Sequence, residues 1–132
     1  MAVNTIASNW KTYHASSKLG ISEQAVVAYT THGATDDGEW FDASGAMSIT
    51  VSVGGASPSG TVTMSGSNGT NANLDIPADT ADGAILGTVA PSGTELVGEL
   101  QEHELTRYIK VHLSAFTSGT LTVLIKMVKR NQ

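Results

Sequence analysis

The residues best suited to chemistry in this sequence are the run Glu102-His103-Glu104 and, further along the chain, His112. Imidazole and carboxylate groups bind zinc, and catalytic zinc sites commonly place two histidines one helical turn apart, as in H-E-x-x-H. His103 and His112 do not have that spacing. We therefore interpret the run as a polar turn and predict no metal site there.

A second candidate is the acidic stretch that contains Asp36, Asp37, Glu39 and Asp42. Carboxylate oxygens are ligands for hard cations such as calcium, which takes about six to eight oxygens. The order D-D-G-E-x-x-D differs from the spacing of an EF-hand loop. The favoured interpretation is an acidic surface loop, with bound calcium as the alternative.

Nucleophilic catalysis has no recognisable motif in the chain. The sequence lacks a G-x-S-x-G elbow, and the serine-rich run 55–60 has the proline and glycines of a loop. The G-x-x-x-x-G-K-[ST] pattern of a phosphate-binding loop is also missing. We predict that the protein is not an enzyme and that it needs no cofactor.

Trp10, Tyr13 and Trp40 are the aromatic residues that could stack on the apolar face of a sugar. Aromatic residues make up only 5% of the chain, so a sugar-binding groove would contain few of them. Packing in a core or an interface is the favoured use of these side chains. A carbohydrate-binding module around Trp40 and the loop at Asp36 is the alternative.

The elements that would position these residues differ between residues 1–20 and the rest of the chain. The spacing of Val3, Ile6, Trp10 and Tyr13 places them on one face of a helix. An isolated helix this short is not stable in water. Residues 1–20 are therefore predicted to be an N-terminal arm or short docking helix, which packs either on its own domain or on a neighbouring subunit.

From residue 21 to residue 132 the apolar side chains recur mainly with the period of two that is typical of β-strands. Strands are predicted over 25–30, 47–53 and 61–67, with a tight hairpin turn at Ser67-Asn68-Gly69-Thr70. The pattern is weaker in the middle of the chain. Short strands are predicted there over 74–76, 85–89 and 95–101.

The clearest pattern is a C-terminal hairpin, in which strands 109–115 and 121–127 are joined by Thr117-Ser118-Gly119. Leu124 and Val128 make part of the second strand's other face apolar, which predicts contacts on both sides of that strand. Together with the apolar positions of the N-terminal segment, these two are the predicted interface residues: Val3, Ile6, Trp10, Tyr13, Leu124 and Val128.

Composition supports a single all-β domain. The 132 residues include 14 glycines and no cysteine, and 40% are hydrophobic, which argues against disorder and leaves no disulfide to form. About eight short strands predict one antiparallel β-sandwich or jelly roll over residues 21–132. A net charge of −5 argues against nucleic acid, and the lack of long apolar runs or a signal-peptide pattern argues against a membrane.

Two stretches of the chain resemble small β-sandwich proteins of tailed-phage particles. Residues 107–123, RYIKVHLSAFTSGTLTV, resemble their closing hairpin, R-Y-[VI]-[KR]-V-x-[VL]-[ST]-A-[YF]-T-S-G-T-[VL]-T-V. Residues 62–71, VTMSGSNGTN, look like the end of an earlier strand, V-x-G-S-x-[DN]-G-T-N. With Trp40-Phe41-Asp42, the resemblance covers about residues 39–128. Family members often have tryptophan after that asparagine, where this chain has Ala72, so the local packing is expected to differ.

The resemblance implies a structural protein of the virion, assembled in the host cytoplasm. We expect a capsid decoration or cement protein, with a tail, neck or fibre protein or a carbohydrate-binding receptor contact as alternatives. The expected partners are the major capsid protein or another virion protein, and further copies of the chain, with a trimer as the expected order. Neither nucleic acid nor a membrane is an expected partner.

Overall fold

A computed structural model describes residues 9–16, 20–32 and 34–130, with the side chains of 13–16 and 30–32 outside that description. A short 3-10 turn at Glu102–Glu104 follows the seventh strand. The described part of the chain contains nine strands: β1 (Lys11–Ser16), β2 (Ile21–His32), β3 (Trp40–Asp42), β4 (Ala46–Gly54), β5 (Ser59–Ser67), β6 (Ala84–Val89), β7 (Leu96–Gln101), β8 (Tyr108–Ser118) and β9 (Leu121–Arg130).

The strands form two antiparallel sheets that pack face to face. One sheet has five strands in the order β1-β2-β9-β4-β7, and the other has four in the order β3-β8-β5-β6. This arrangement confirms the predicted all-β sandwich, with nine strands instead of about eight. Over the residues described, the chain has no helix long and apolar enough to cross a membrane.

The core lies between the sheets and follows the period-two pattern of the sequence. On β9, Leu121, Val123, Ile125 and Met127 are buried, while the residues between them lie on the outer side of the sheet. Val62 and Met64 of β5 point into the same core, as their alternation predicted. Fully burying side chains of this size stabilises the fold by about 1.5–3 kcal/mol each, so this layer holds the sheets together.

The helix predicted for the N-terminal segment is wrong over the part that is described. Residues 11–16 form β1, which pairs with β2 at the edge of the five-stranded sheet. Trp10 packs edge-on against Phe41 of the same domain, with ring centroids 5.3 Å apart. A segment that pairs with the free edge of a sheet is stabilised by backbone hydrogen bonds to its neighbour, whereas a short isolated helix is not stable in water. Val3 and Ile6 lie outside the described residues.

Both strands of the predicted C-terminal hairpin are confirmed, but the prediction that they pair with each other is wrong. β8 pairs with β3 and β5, whereas β9 pairs with β2 and β4 in the opposite sheet. The turn therefore carries the chain from one sheet to the other. It meets the similar connection between β4 and β5, where the Thr120 N–H donates to the Ala56 carbonyl at 3.1 Å.

Gly119 makes this close approach possible. Its φ is +77°, and a Cβ at this position would collide with the backbone carbonyls of Ala56 and Ser57. Glycine adopts positive φ without steric cost and lets two backbones touch. The direction of the turn is thus decided by a contact with a distant part of the chain.

Two further predictions for the middle of the chain are wrong. The residues after β5 do not form a tight hairpin, because a long loop over 68–83 connects β5 to β6. The strand predicted over 74–76 belongs to this loop, and Leu74 has a left-handed φ of 59°. The predicted strands over 85–89 and 95–101 correspond to β6 and β7.

Candidate functional site

A polar cleft lies on the outer side of the four-stranded sheet. The alternation of β8 sends Val111 and Leu113 into the core, so Lys110, His112 and Ser114 point to the opposite side. The loop before β3 runs beside β8, where the Asp36 N–H donates to the Leu113 carbonyl at 3.0 Å. The cleft has a volume of about 560 Å³, and its lining residues are Thr35, Asp36, Asp37, Asp82, Lys110, His112, Leu113 and Ser114.

His112 is the titratable centre of the cleft. Its Nε2 shares a hydrogen bond of 3.1 Å with the hydroxyl of buried Ser65 on β5. Burial lowers the pKa of His112 and the Lys110 ammonium lowers it further, while Asp37 and Asp82 oppose this shift only in part. The ring is therefore predominantly neutral at pH 7 and can serve as a hydrogen-bond donor and acceptor.

A second hydroxyl pair lies beside the first. The Thr63 and Ser114 hydroxyls are 2.7 Å apart, and the Ser114 hydroxyl also donates to the Thr61 carbonyl at 3.2 Å. Buried polar groups are costly unless they find partners. Thr63 and Ser65 satisfy that requirement across the β5–β8 pair, which fixes the floor of the cleft.

Lys110 fastens the 68–83 loop over this sheet. Its side chain is only 1% exposed, and its Nζ donates to the carbonyls of Asp79 at 2.9 Å and Ala81 at 2.6 Å. The ammonium also lies over the Trp40 ring, 5.4 Å from a ring centroid. A buried ammonium needs such partners, because burial removes its water shell. The loop carbonyls and the indole replace that shell.

Trp40 and Tyr108 fasten the same loop. Trp40 donates through Nε1 to the Ala78 carbonyl at 3.0 Å, and the Tyr108 hydroxyl donates to the Leu74 carbonyl at 2.6 Å. Trp40 is buried, so its ring has no open face for a sugar. Trp10 packs edge-on against Phe41. The sugar hypothesis therefore loses Trp40 as a stacking platform, although Asp36 does line the cleft.

The Glu102-His103-Glu104 run does not join His112 in the cleft. It forms the exposed 3-10 turn after β7, where Glu102 receives hydrogen bonds from Arg130 and Glu104 accepts from the Gln101 N–H. The hydrogen bond from Arg130 lowers the pKa of Glu102. These contacts give the carboxylates a structural use at the end of the five-stranded sheet.

The acidic stretch also divides between different places. Asp36 and Asp37 line the cleft, whereas Asp42 lies at the end of β3 opposite Tyr108 and next to Arg107. Across the residues that the structure describes, no group of three or more histidine, aspartate or glutamate side chains is placed to hold a metal ion. The four acids of the stretch therefore do not converge as calcium ligands.

The predicted interface residues Leu124 and Val128 lie on the outer face of the five-stranded sheet. Both are half-buried on β9, the central strand. Cross-strand pairing brings Val27, Ser52 and Val97 into one row with Leu124. Val97 is 52% exposed. We name the outward residues of β2, β9, β4 and β7 the outer face.

Exposed apolar side chains are concentrated in one part of the chain. Of the large hydrophobic residues that are exposed, all but Val27 lie between residues 74 and 97: Leu74, Ile76, Ile85, Leu96 and Val97. This part of the chain contains β6 and β7, which are the terminal strands of their sheets and contact each other. Ile85 is 72% exposed. We name β6 and β7, with the exposed side chains of Ile85, Leu96 and Val97, the β6–β7 edge.

The other predicted interface residues are placed only in part. Trp10 is half-buried against the core, and Tyr13 is in β1, where its side chain lies outside the description. Val3 and Ile6 lie outside the described residues. No pattern in the sequence indicates the structural role of Lys110, because the side of β8 on which it lies looks solvated when the position of the 68–83 loop is unknown.

No family model matches the sequence, and neither a curated protein nor a solved structure matches it.

Proposed function

We propose that this chain is a structural protein of a tailed-phage virion, and specifically a decoration protein that binds the capsid surface. The observation that supports this proposal is the β6–β7 edge, where two neighbouring sheet edges carry exposed apolar side chains. Terminal strands present unpaired backbone donors and acceptors, and natural proteins usually protect them with charges, prolines or a covering element. Ile85, Leu96 and Val97 instead offer apolar contacts to a partner.

The proposal places the major capsid protein on this edge. A partner strand that pairs with β6 or β7 would gain backbone hydrogen bonds, and pockets for its side chains would supply specificity. Ile85 contributes to the fold chiefly through its backbone pairing, because its side chain is almost fully outside the core. A change at Ile85 therefore tests binding without disturbing the core.

The test is co-sedimentation of the purified chain with phage particles that lack it. We expect the chain to sediment with intact capsids, and we expect Ile85→Asp to reduce the bound fraction at least fivefold, because a charge would be buried against the partner. The matched control is Thr117→Asp, an exposed residue near the far end of β8. It should bind like the unchanged chain.

Different outcomes separate the alternatives. Failure to bind any particle component would contradict the virion proposal. Binding to purified tails but not capsids would replace decoration by a tail, neck or fibre role. Equal losses for Ile85→Asp and Thr117→Asp would exclude the β6–β7 edge as the binding surface. The melting temperature of each variant shows whether it remains folded at the temperature of the assay.

A further inference from the structure

The two sheets of the described residues have four terminal strands, and three of these strands are poorly suited to accept a further strand. β3 has only three residues. β1 has a register shift between Thr12 and His14, and β6 pairs with β5 through a register shift between Met64 and Ser65. Short strands and bulges are devices by which proteins protect the edges of their sheets. Neither device is found in β7, the fourth terminal strand of the part of the chain that the structure describes.

β7 offers a regular backbone edge. It pairs with β4 over six consecutive residues without a register shift. At its end the Gln101 N–H donates to the Glu104 carboxylate at 2.9 Å, so this backbone group points away from β4. Backbone groups of an antiparallel strand point alternately to its two sides, so the N–H and C=O groups of Val97 and Glu99 also point away from β4. They are placed to bond to a strand added at this edge.

The outward side of β7 is acidic on both sides of Val97. Glu95 lies over Gly54 at the end of β4, and Glu99 follows two residues after Val97. β4 contains no charged residue, so it offers these two carboxylates no cation across the strand pair. A lysine or arginine on an added strand would supply that cation. Its aliphatic stem would also cover Val97, which is 52% exposed.

The inward side of β7 is apolar and only partly covered. Leu96 pairs with buried Val53 of β4, yet Leu96 itself is 45% exposed. Gly98 has no side chain, and an added Cβ would meet Val89 of β6 at 2.5 Å, so β6 packs closely behind β7 at this point. An apolar side chain on the inward side of an added strand would therefore extend the core over Leu96.

We propose that β7 accepts a strand of the partner protein that has apolar side chains on its inward side and lysine or arginine on its outward side. The proposal rests on the proposed function for the identity of the partner, the major capsid protein, and it selects β7 from the two strands of the β6–β7 edge. A second copy fits less well as the source of this strand. Antiparallel pairing of β7 with β7 would place the glutamates of both copies on the same side of the joined sheet, where like charges repel.

The test is a nuclear magnetic resonance titration of the isotope-labelled full chain with a blocked peptide of about ten residues that alternates valine with lysine. We expect the amide signals of Val97, Gly98 and Glu99 to shift with a dissociation constant of about 1 mM, and those of β6 to shift less. A peptide in which glutamate replaces lysine should bind about fivefold more weakly, because it places like charges beside Glu95 and Glu99.

Two variants separate the backbone contribution from the charge. Val97→Pro removes an N–H that faces the free edge and leaves the bonds to β4 in place, so it should weaken peptide binding about tenfold. Its matched control Val97→Ala keeps the N–H and should weaken binding less than about threefold. Glu99→Lys should remove the preference for the lysine peptide and strengthen binding of the glutamate peptide. If its melting temperature shows that Val97→Pro is unfolded, Glu99→Lys decides, because an unfolded variant could not gain binding.

The inference is overturned if the shifts are confined to β6, if the unchanged chain binds both peptides equally, or if a folded Val97→Pro binds as well as Val97→Ala. The absence of any shift at about 3 mM lysine peptide would also overturn it. The variants are then compared in co-sedimentation with particles that lack the chain. Capsid binding that Val97→Pro does not reduce would overturn only this inference. A chain that binds the peptide at β7 but binds no particle component would overturn only the proposed function.

Discussion

Replacing Lys110 by methionine should release the 68–83 loop from the four-stranded sheet. Methionine keeps most of the side-chain volume and removes the ammonium. The carbonyls of Asp79 and Ala81 then lose their donor, and the Trp40 ring loses the cation above it. We expect the loop to detach before the rest of the protein unfolds, because none of these partners belongs to the core between the sheets.

The magnitude follows from the contacts that change. Two hydrogen bonds from a charged group contribute about 3 kcal/mol together, and a desolvated cation–π contact adds about 2 kcal/mol. Removing the ammonium also removes the cost of keeping it away from water. This offsets about 3 kcal/mol of the lost stabilisation when the freed carbonyls can reach water. We therefore expect Lys110→Met to lower the free energy of unfolding by about 2 kcal/mol.

Two measurements test this prediction together. Urea denaturation gives the change in the free energy of unfolding, and tryptophan emission reports the loop, because the Trp40 Nε1 donates to the Ala78 carbonyl. The emission is best measured with Trp10 replaced by phenylalanine in both proteins, which leaves Trp40 as the single tryptophan. Release of the loop should shift the emission to longer wavelength below the unfolding transition.

Lys129→Met is the control, because Lys129 is a half-buried lysine on β9 outside the loop contacts. It should change the free energy of unfolding by less than about 0.5 kcal/mol. If Lys110→Met stabilises the protein, the buried ammonium does not hold the loop. The same conclusion follows if the free energy of unfolding and the Trp40 emission change no more than they do in the control. The account of the covered sheet would then fail.

Two further predictions concern His112 and Gly119. Because the pKa of His112 is lowered in the folded state, its contribution to stability is full above the unfolded value of 6.5 and is lost as pH falls towards the folded pKa. His112→Gln should therefore flatten the decline in the free energy of unfolding, measured by urea denaturation, between about pH 7.5 and pH 5.5. An unchanged slope would contradict the argument that burial lowers this pKa. Gly119→Ala should destabilise the fold by about 3 kcal/mol or more, whereas Gly93→Ala, also at positive φ but with nothing within 4 Å of its Cβ, should cost about 1 kcal/mol in the same measurement. Equal costs would show that the contact between the two turns is not what requires glycine at 119.

The sequence predicted strands well where one face of the strand is buried. It predicted the path of the chain poorly where that path depends on a contact with a distant residue. The alternation on β8 and β9 identified both strands, because side chains of alternate residues must enter the core. The turn between them has ordinary hairpin residues, and its crossing to the other sheet depends on Gly119 touching Ala56 and Ser57. Local turn chemistry contains no information about that contact.

The candidate site shows the same limit. His112 was singled out from the sequence, but its partner Ser65 is on β5 and became visible only through the β5–β8 register. Leu74 and Ile76 have the alternation of a strand, yet the Tyr108 hydroxyl and the Lys110 ammonium hold their loop by its carbonyls. A pattern of apolar residues cannot show that side chains from another strand will satisfy those groups.

The two sheets differ in how their outer sides are used, and this difference supports an assembly role. The 68–83 loop covers part of the four-stranded sheet, and buried Lys110 and Trp40 hold it there. On the five-stranded sheet, no described segment packs in the same way over Val27, Leu124 and Val97, whose row remains partly or largely exposed. A chain that lacks disulfides and folds from short strands gains stability by burying such a row.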